Sequence, residues 1–129
     1  MTTTATELLG AVSAFLEREV QPGLSGRTAF EVRIARHTLA MLQRELTLAP
    51  ALAALDAAAG TWAGGEGARP VPVALAQALR DGRLAPDRRT LRYLRRRTLL
   101  RLAIDNPRYS GFRAAGERWP EDLPEGVLP

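Results

Sequence analysis

Apolar residues recur along the N-terminal third of the chain at the spacing of α-helices. Five of them fall near the i, i+4, i+7 and i+8 positions of one helical face: Leu8, Val12, Phe15, Leu16 and Val20. Thr4 and Glu7 have the spacing of a capping box, and Pro22-Gly23 ends the helix because proline cannot continue it. The pattern predicts a first amphipathic helix over residues 4–21, with one face turned towards a core.

The second predicted helix, over residues 26–47, is apolar around most of its circumference. Two apolar stripes run along it, one of which contains Phe30 and Ile34. A helix of this kind usually lies at the centre of a bundle, so other helices or a second copy of the chain have to cover both stripes. Arg33 lies among apolar neighbours, and we expect it to form an ion pair with Glu17, Glu19 or Asp105.

Prolines and glycines divide the middle of the chain. Pro50 suits the first turn of a third helix over residues 51–59. Four glycines between residues 60 and 69 predict a flexible loop. A fourth helix is predicted over residues 73–80 and a fifth over residues 87–104.

These patterns together predict an all-α bundle of about five helices. Its three long core helices would be residues 4–21, 26–47 and 87–104, because they carry the clearest apolar faces. Prolines and glycines leave the C-terminal segment without a regular pattern. We therefore expect one helical domain over residues 1–113, followed by an irregular or disordered acidic tail over residues 114–129.

The charges are unevenly distributed, and every basic residue except one histidine is an arginine. Residues 61–113 carry twelve arginines against four acidic residues, whereas residues 114–129 carry one arginine against four acidic residues. A basic segment of this kind is typical of a surface that binds phosphates or an acidic protein. Pairing between the acidic tail and the arginine-rich helix is the alternative, and the sequence leaves both open.

The fifth predicted helix presents a candidate surface for a partner or an anion. Four of its arginines share a face and a polar cluster follows its end: Arg88, Arg92, Arg95 and Arg96, then Asp105, Arg108 and Tyr109. Guanidinium groups this close repel one another unless an anion lies between them. The alternatives are a solvated face whose arginine stems cover apolar neighbours, and a simple helix end at Asp105-Asn106-Pro107.

The composition argues against catalysis and against metal or cofactor binding. The chain has no cysteine and one histidine, His37, and it contains neither a Glu-x-x-His motif nor a Walker lysine. The arginine-rich helix lacks interleaved aromatic residues and no DNA- or RNA-binding motif is present, so nucleic acid is not the expected partner. Without a signal peptide or a run of about 20 apolar residues, we expect a cytoplasmic protein and no membrane contact.

Two segments together resemble a known family. The first, from Thr6 to Leu46, includes Phe15-Leu16-Glu17-x-Glu19-Val20-x-Pro22; the second, from Leu94 to Tyr109, ends in Asp105-Asn106-Pro107-Arg108-Tyr109. They are similar to a family of small bacterial helical proteins, a domain of unknown function. Its members are often encoded beside aminoglycoside-phosphotransferase-like kinases and acyl-CoA dehydrogenases. The resemblance implies a place near acyl-CoA or phosphoryl metabolism, and it carries over no catalytic residue.

The expected function is therefore that of a non-catalytic accessory protein that binds an enzyme partner. A kinase-like protein or an acyl-CoA dehydrogenase is the partner that the resemblance implies. The alternative is a small-molecule-binding protein that takes the phosphates of a CoA ester or a nucleotide on the arginine-rich helix. A homodimer would also account for the second apolar stripe of residues 26–47.

Overall fold

The computed structural model describes residues 2–64 and 69–127, and within these ranges every regular element is helical. Five α-helices follow one another: α1 (Ala5–Phe15), α2 (Gly26–Ala63), α3 (Val71–Arg80), α4 (Arg88–Asp105) and α5 (Ser110–Arg118). The predicted all-α class is confirmed. The chain divides into two compact units, Met1–Leu48 and Ala49–Pro129, with the boundary inside α2. We call them the N-terminal unit and the C-terminal unit; one domain over residues 1–113 stays a prediction.

The N-terminal unit begins with the predicted capping box. The Glu7 amide donates to Thr4 Oγ1 (3.2 Å), and the Thr4 amide donates to the Glu7 carboxylate (2.7 Å). After α1 the helical structure continues through a π-helical turn (Leu16–Val20) and a 3-10 turn (Gln21–Gly23). The first helical stretch therefore ends within two residues of the predicted position.

Close approach of α1 and the first half of α2 depends on a glycine. A Cβ atom added at Gly10 would lie 3.2 Å from Gln43 Nε2, which donates to the Thr6 carbonyl (3.3 Å). Because the side-chain amide reaches the backbone of the neighbouring helix, this contact fixes the two helices of the unit against each other.

The ion pair predicted for Arg33 is wrong, because Glu17, one of its three candidate partners, pairs with Arg36. Arg36 donates to the Glu17 carboxylate (2.9 Å) and to the Gln21 side chain (2.7 Å). Arg33 is exposed, with its guanidinium 6.0 Å from the centre of the Phe30 ring. Arg33 and Arg36 are three residues apart, which corresponds to about 300° of rotation around the helix. The two side chains therefore point in different directions, and Arg36 is the one that faces α1.

The packing of α1 differs from the prediction. No residue of α1 is buried, and Leu8, Val12 and Phe15 are 56%, 49% and 57% exposed. Their amphipathic face is present, but a single neighbouring helix covers only part of a helix surface. The prediction that residues 4–21 form a core helix is therefore wrong.

Helix α2 runs without a break from Gly26 to Ala63 and has Pro50 inside it. The two helices predicted over residues 26–47 and 51–59 are therefore one. Proline removes one backbone N–H donor, but the alanines and leucines around it favour the helix strongly enough for it to continue. Of the loop predicted over residues 60–69, the first four residues belong to α2 and residues 65–68 lie outside the described residues.

By length and composition alone, α2 is apolar enough to cross a membrane. The core helix of a water-soluble protein meets the same criterion. The expectation of no membrane contact stays a prediction.

The core of the C-terminal unit forms where α2, α3 and α4 meet. Ala59 and Ala63 of α2, Leu75 of α3 and Tyr93 of α4 are buried together. The second half of α4 buries four further apolar residues: Leu99, Leu100, Ala103 and Ile104. The fifth predicted helix, residues 87–104, is thus a core helix as expected.

Helix α4 ends at Asp105, where the Asp105-Asn106-Pro107 sequence predicts a stop, but the chain then forms α5 and a 3-10 turn (Pro120–Asp122). Phe112 is fully buried and Leu123 is 9% exposed. The irregular tail predicted for residues 114–129 is therefore wrong as far as Leu123. Its apolar anchors are too widely spaced to give a periodic pattern, so sequence periodicity does not reveal them.

Candidate functional site

The arginine face of α4 meets a buried carboxylate from the C-terminal segment. The Asp122 side chain is fully buried and accepts hydrogen bonds from Nε of Arg95 and from Nε of Arg96 (3.0 Å). Arg92 Nε lies 3.7 Å from the same carboxylate. Burial alone would raise the pKa of Asp122, but the hydrogen bonds from Arg95 and Arg96 outweigh it and hold the pKa below its usual value.

Two further contacts, made by Glu121 and Trp119, hold the C-terminal segment against α4. Arg96 Nη2 donates to the Glu121 carbonyl (3.2 Å). The Trp119 ring lies 4.6 Å from the guanidinium of Arg95 and 4.7 Å from that of Arg118, within the range of cation–π attraction. Of the two interpretations of the charge pattern, internal pairing is what the structure shows for Arg95 and Arg96.

A second, partly buried carboxylate, Asp56, binds two groups at the other border of the arginine face. The Tyr93 hydroxyl donates to Asp56 Oδ1 (2.7 Å), and Arg97 Nε donates to the same oxygen (3.1 Å). Burial, together with the hydrogen bond to Asp56, raises the pKa of Tyr93 far above its usual value. The phenol therefore stays a neutral hydrogen-bond donor that ties α4 to α2.

A groove of about 320 Å³ lies between the second half of α2 and the first half of α4. One wall is apolar and comes from α2, while α4 supplies arginines to the other; its lining residues include Leu55, Ala58, Trp62, Arg88, Arg89, Arg92 and Arg96. The Arg89 guanidinium lies 4.4 Å from the centre of the Trp62 ring. A second groove of about 370 Å³ shares Leu55, Ala58 and Arg96 with the first and reaches Pro124. We call the first one the arginine groove.

The arginines of this groove differ in how far they are neutralised. Arg96 forms an ion pair with Asp122 at 3.0 Å, and Arg92 lies farther from the same carboxylate, at 3.7 Å. Within residues 2–64 and 69–127, Arg88 and Arg89 make no ion pair. Asp87, the N-cap of α4, accepts from the Thr90 amide (2.8 Å), and this hydrogen bond, with the charge of Arg89 nearby, holds its pKa below the usual value. Among the described residues, the arginines of the groove without an ion pair are therefore those in the first turn of α4.

The remaining predicted site residues lie at the other end of α4. Asp105 pairs with Arg101 (3.0 Å), one turn earlier on the same helix. The ring of Tyr109 rests on Gly111, where an added Cβ would come within 2.6 Å of it. A helix of 18 residues is about 27 Å long, so the structure does not bring Asp105, Arg108 and Tyr109 together with Arg88 and Arg92. Their role as a partner or anion surface stays a prediction.

The sequence patterns did not single out the groups that organise this site. In the sequence, Asp56 is one acidic residue in an alanine-rich stretch, Trp62 falls in the predicted loop and Asp122 falls in the predicted irregular tail. One signal was available: Tyr93 and Arg97 are four residues apart, so one carboxylate can serve both. The described residues contain no cluster of three or more histidine or acidic side chains that could hold a metal ion.

The amino-acid sequence of the chain matches a family model. Residues 22–109, more than half of the chain, match the model described as Domain of unknown function (DUF6285). The chain belongs to the DUF6285 family. No curated protein and no solved structure matches it.

The DUF6285 match confirms the resemblance at the level of a family of unknown function. The matched region includes all of α2, α3 and α4, and therefore every residue of the arginine groove. It leaves out α1 and the segment that carries Asp122. The groove is thus built entirely from the part of the chain that defines membership in DUF6285.

Proposed function

We propose that this DUF6285 protein is a non-catalytic accessory protein whose N-terminal unit binds a protein partner. The observation that carries the proposal is the exposure of large apolar side chains in that unit. Seven of them are at least 41% exposed: Leu8, Val12, Phe15, Phe30, Ile34, Leu42 and Leu46. Together, side chains of this size leave roughly 500 Å² of apolar surface in water, and we propose that a partner covers it.

The small core of the same unit supports the proposal. Among its described residues only Ala29 and Leu48 are buried apolar residues. A pair of helices with so little buried apolar surface has little to offset the entropy of ordering its chain. A partner that covers Leu8, Val12 and Phe15 would supply the missing burial.

The nature of the partner is an extension of the family resemblance. We propose a kinase-like protein of the aminoglycoside-phosphotransferase type or an acyl-CoA dehydrogenase, encoded close to this chain, so that the accessory role would belong to acyl-CoA or phosphoryl metabolism. A homodimer is the second arrangement that would cover the exposed face. Both place the same apolar side chains in the interface.

The test measures complex formation with purified proteins. The full chain, alone and mixed with each candidate enzyme, would be analysed by size-exclusion chromatography with light scattering. We expect the double substitution Leu8→Gln and Phe15→Gln to abolish the complex while the thermal midpoint stays unchanged, because both residues are already exposed. Leu91→Gln, at a residue 55% exposed in the C-terminal unit, is the matched control.

Two results would contradict this proposal. One is a chain that is monomeric and binds neither enzyme at micromolar concentration. The other is a complex that the double substitution leaves intact, since the contact would then lie elsewhere on the chain.

The arginine groove favours a second candidate function, the binding of a phosphate-bearing small molecule such as a nucleotide or a CoA ester. Arg88 and Arg89 provide charge that no carboxylate of the described residues neutralises within ion-pair distance. A ligand present at one hundred times its Kd would stabilise the native state by about 2.7 kcal/mol. A thermal-shift screen at millimolar ligand would therefore detect it, and a midpoint that no phosphate ester changes would contradict it.

A further inference from the structure

We propose that the arginine groove is a binding site for a nucleoside phosphate, with the phosphates on Arg88 and Arg92 and the nucleoside against the apolar wall of α2. This inference deepens the second candidate function and is independent of the apolar surface of the N-terminal unit. It rests on the charge, the shape and the two unlike walls of the groove.

The charged wall is arranged as a strip along one side of α4. Arg88, Arg92 and Arg96 are spaced four residues apart, which puts successive Cβ atoms about 5–6 Å from each other. Among the residues that the structure describes, the arginine groove is lined by four arginines and by no acidic residue. The Asp122 carboxylate is already shared by Arg95 and Arg96 and lies 3.7 Å from Arg92 Nε.

An anion of more than one charge fits this strip better than a protein carboxylate does. Guanidinium groups bind phosphate oxygens through two parallel hydrogen bonds. Phosphates between Arg88 and Arg92 would remove the repulsion between these two neighbours on the helix. Arg88 is the key residue, because it makes no ion pair with a carboxylate of the described residues.

The apolar wall of the groove indicates that the ligand has an apolar or aromatic part in addition to its phosphates. Leu55, Ala58 and Trp62 face the arginines across the groove. A volume of about 320 Å³ is at the lower end of the range for small-molecule sites, and it exceeds what one phosphate group fills. Arg89 already lies over the Trp62 ring, so a planar base would stack on a guanidinium group that the indole ring holds in place.

The groove is also held in shape before any ligand arrives. Tyr93 and Arg97 are both bonded to Asp56, which locks α4 to the helix that carries the apolar wall. Trp62 packs edge-on against the Tyr93 ring at a centroid distance of 6.0 Å. Because the walls are fixed, little ordering of side chains on α2 opposes binding.

Isothermal titration calorimetry of the full chain would compare four probes: ATP, CoA, pyrophosphate and adenosine. We expect ATP and CoA to bind, pyrophosphate to bind at least about tenfold more weakly because it lacks apolar contacts, and adenosine not to bind. Arg88→Glu and Arg92→Ala should each weaken ATP binding about tenfold or more, since each removes charge-assisted hydrogen bonds. Arg113→Glu, at an exposed arginine of α5, should leave the affinity within about twofold, as expected for a distant surface charge.

Fluorescence gives a second readout inside the groove. In a Trp119→Phe background Trp62 is the only tryptophan, and its emission should change on addition of ATP. Should Trp119→Phe destabilise the fold, calorimetry on the otherwise unchanged chain stands by itself.

The possible results distinguish an error in the proposed binding site from an error in the second candidate function. If no nucleoside phosphate binds at millimolar concentration, both the inference and the second candidate function fail. If ATP binds and Arg88→Glu binds it equally well, the function survives and this site is wrong. Equal affinity for pyrophosphate and ATP, or an equal loss in Arg113→Glu, would also overturn the site, because the apolar wall or the position of the charge would then have no effect.

Discussion

At the scale of single residues, two carboxylates decide how the arginines of α4 are used. Asp122 and Asp56 each gather two groups of α4 around one side chain. Arginines of α4 that form an ion pair with one of these carboxylates stabilise the packing of the helix. Arginines without such a partner can bind a ligand. The division runs along α4, with Arg95, Arg96 and Arg97 paired and Arg88 unpaired among the described residues.

The substitution Asp122→Asn should lower the free energy of unfolding by about 2 kcal/mol at pH 7. Loss of a buried, hydrogen-bonded charge costs more than an average hydrogen bond, and the partly exposed arginines lose less than buried ones would. The pKa of Asp122 is lowered in the folded state, so its contribution is present above the unfolded value of about 3.9 and disappears as the pH falls through the folded pKa. Urea unfolding at pH 7 and near pH 2 would measure the difference between the two proteins.

The control is Glu125→Gln, which removes an exposed carboxylate of the same segment. A gap between Asp122→Asn and the unchanged protein that stays constant down to pH 2 would contradict the assignment, because the aspartate would then not be the titrating group.

Tyr93 predicts the opposite dependence at high pH. Its pKa is raised by burial and by the hydrogen bond to Asp56, so the folded phenol resists ionisation while the unfolded one ionises near pH 10. The stabilisation is complete below pH 10 and is lost as the pH rises towards the folded pKa. Tyr93→Phe should therefore be less stable than the unchanged protein at pH 8, by about 1 kcal/mol, and the gap should shrink at pH 11. A gap that widens with pH would contradict the burial of the hydroxyl.

At the scale of elements, the sequence pattern predicts helices better than it predicts what covers them. The starts of α1 and α4 and the end of α4 follow from local signals, since caps and stops act within one turn. The burial of α1 and the docking of the Asp122 segment depend on contacts between residues far apart in the chain. Hydrophobic periodicity does not report contacts between distant residues. It therefore predicts a core role that α1 does not have, and it does not predict the packing of the C-terminal segment.

Helix α2 provides the prediction at this scale. Pro50 lies inside it and cannot donate the backbone hydrogen bond that residue 50 would make. Pro50→Ala should restore this donor and raise the free energy of unfolding, by up to about 3 kcal/mol, the difference between the two residues in a helix interior. Ala53→Ser, a mild change one turn away on the exposed surface, is the control. A loss of stability in Pro50→Ala, measured by urea unfolding, would show that the helix is not continuous at this residue.

At the scale of the whole molecule, the two units differ in how much apolar surface they bury. The C-terminal unit has a core shared by three helices and a docked C-terminal segment. The N-terminal unit has two buried apolar residues among those described, and seven large ones on its surface. This difference agrees with our two proposals, which assign the ligand to the C-terminal unit and the partner to the N-terminal unit.

This contrast predicts different behaviour for the two units in isolation. A fragment of residues 49–129 should unfold cooperatively in urea, because its ion pairs and its core lie within its own sequence. A fragment of residues 1–48 should have weak helical circular dichroism at micromolar concentration, since short helices without a core are marginal in water. Its helicity should rise on addition of the partner enzyme or, for a homodimer, with its own concentration. A fragment 1–48 that is fully helical and monomeric would contradict the proposed function, because its apolar face would then need no partner.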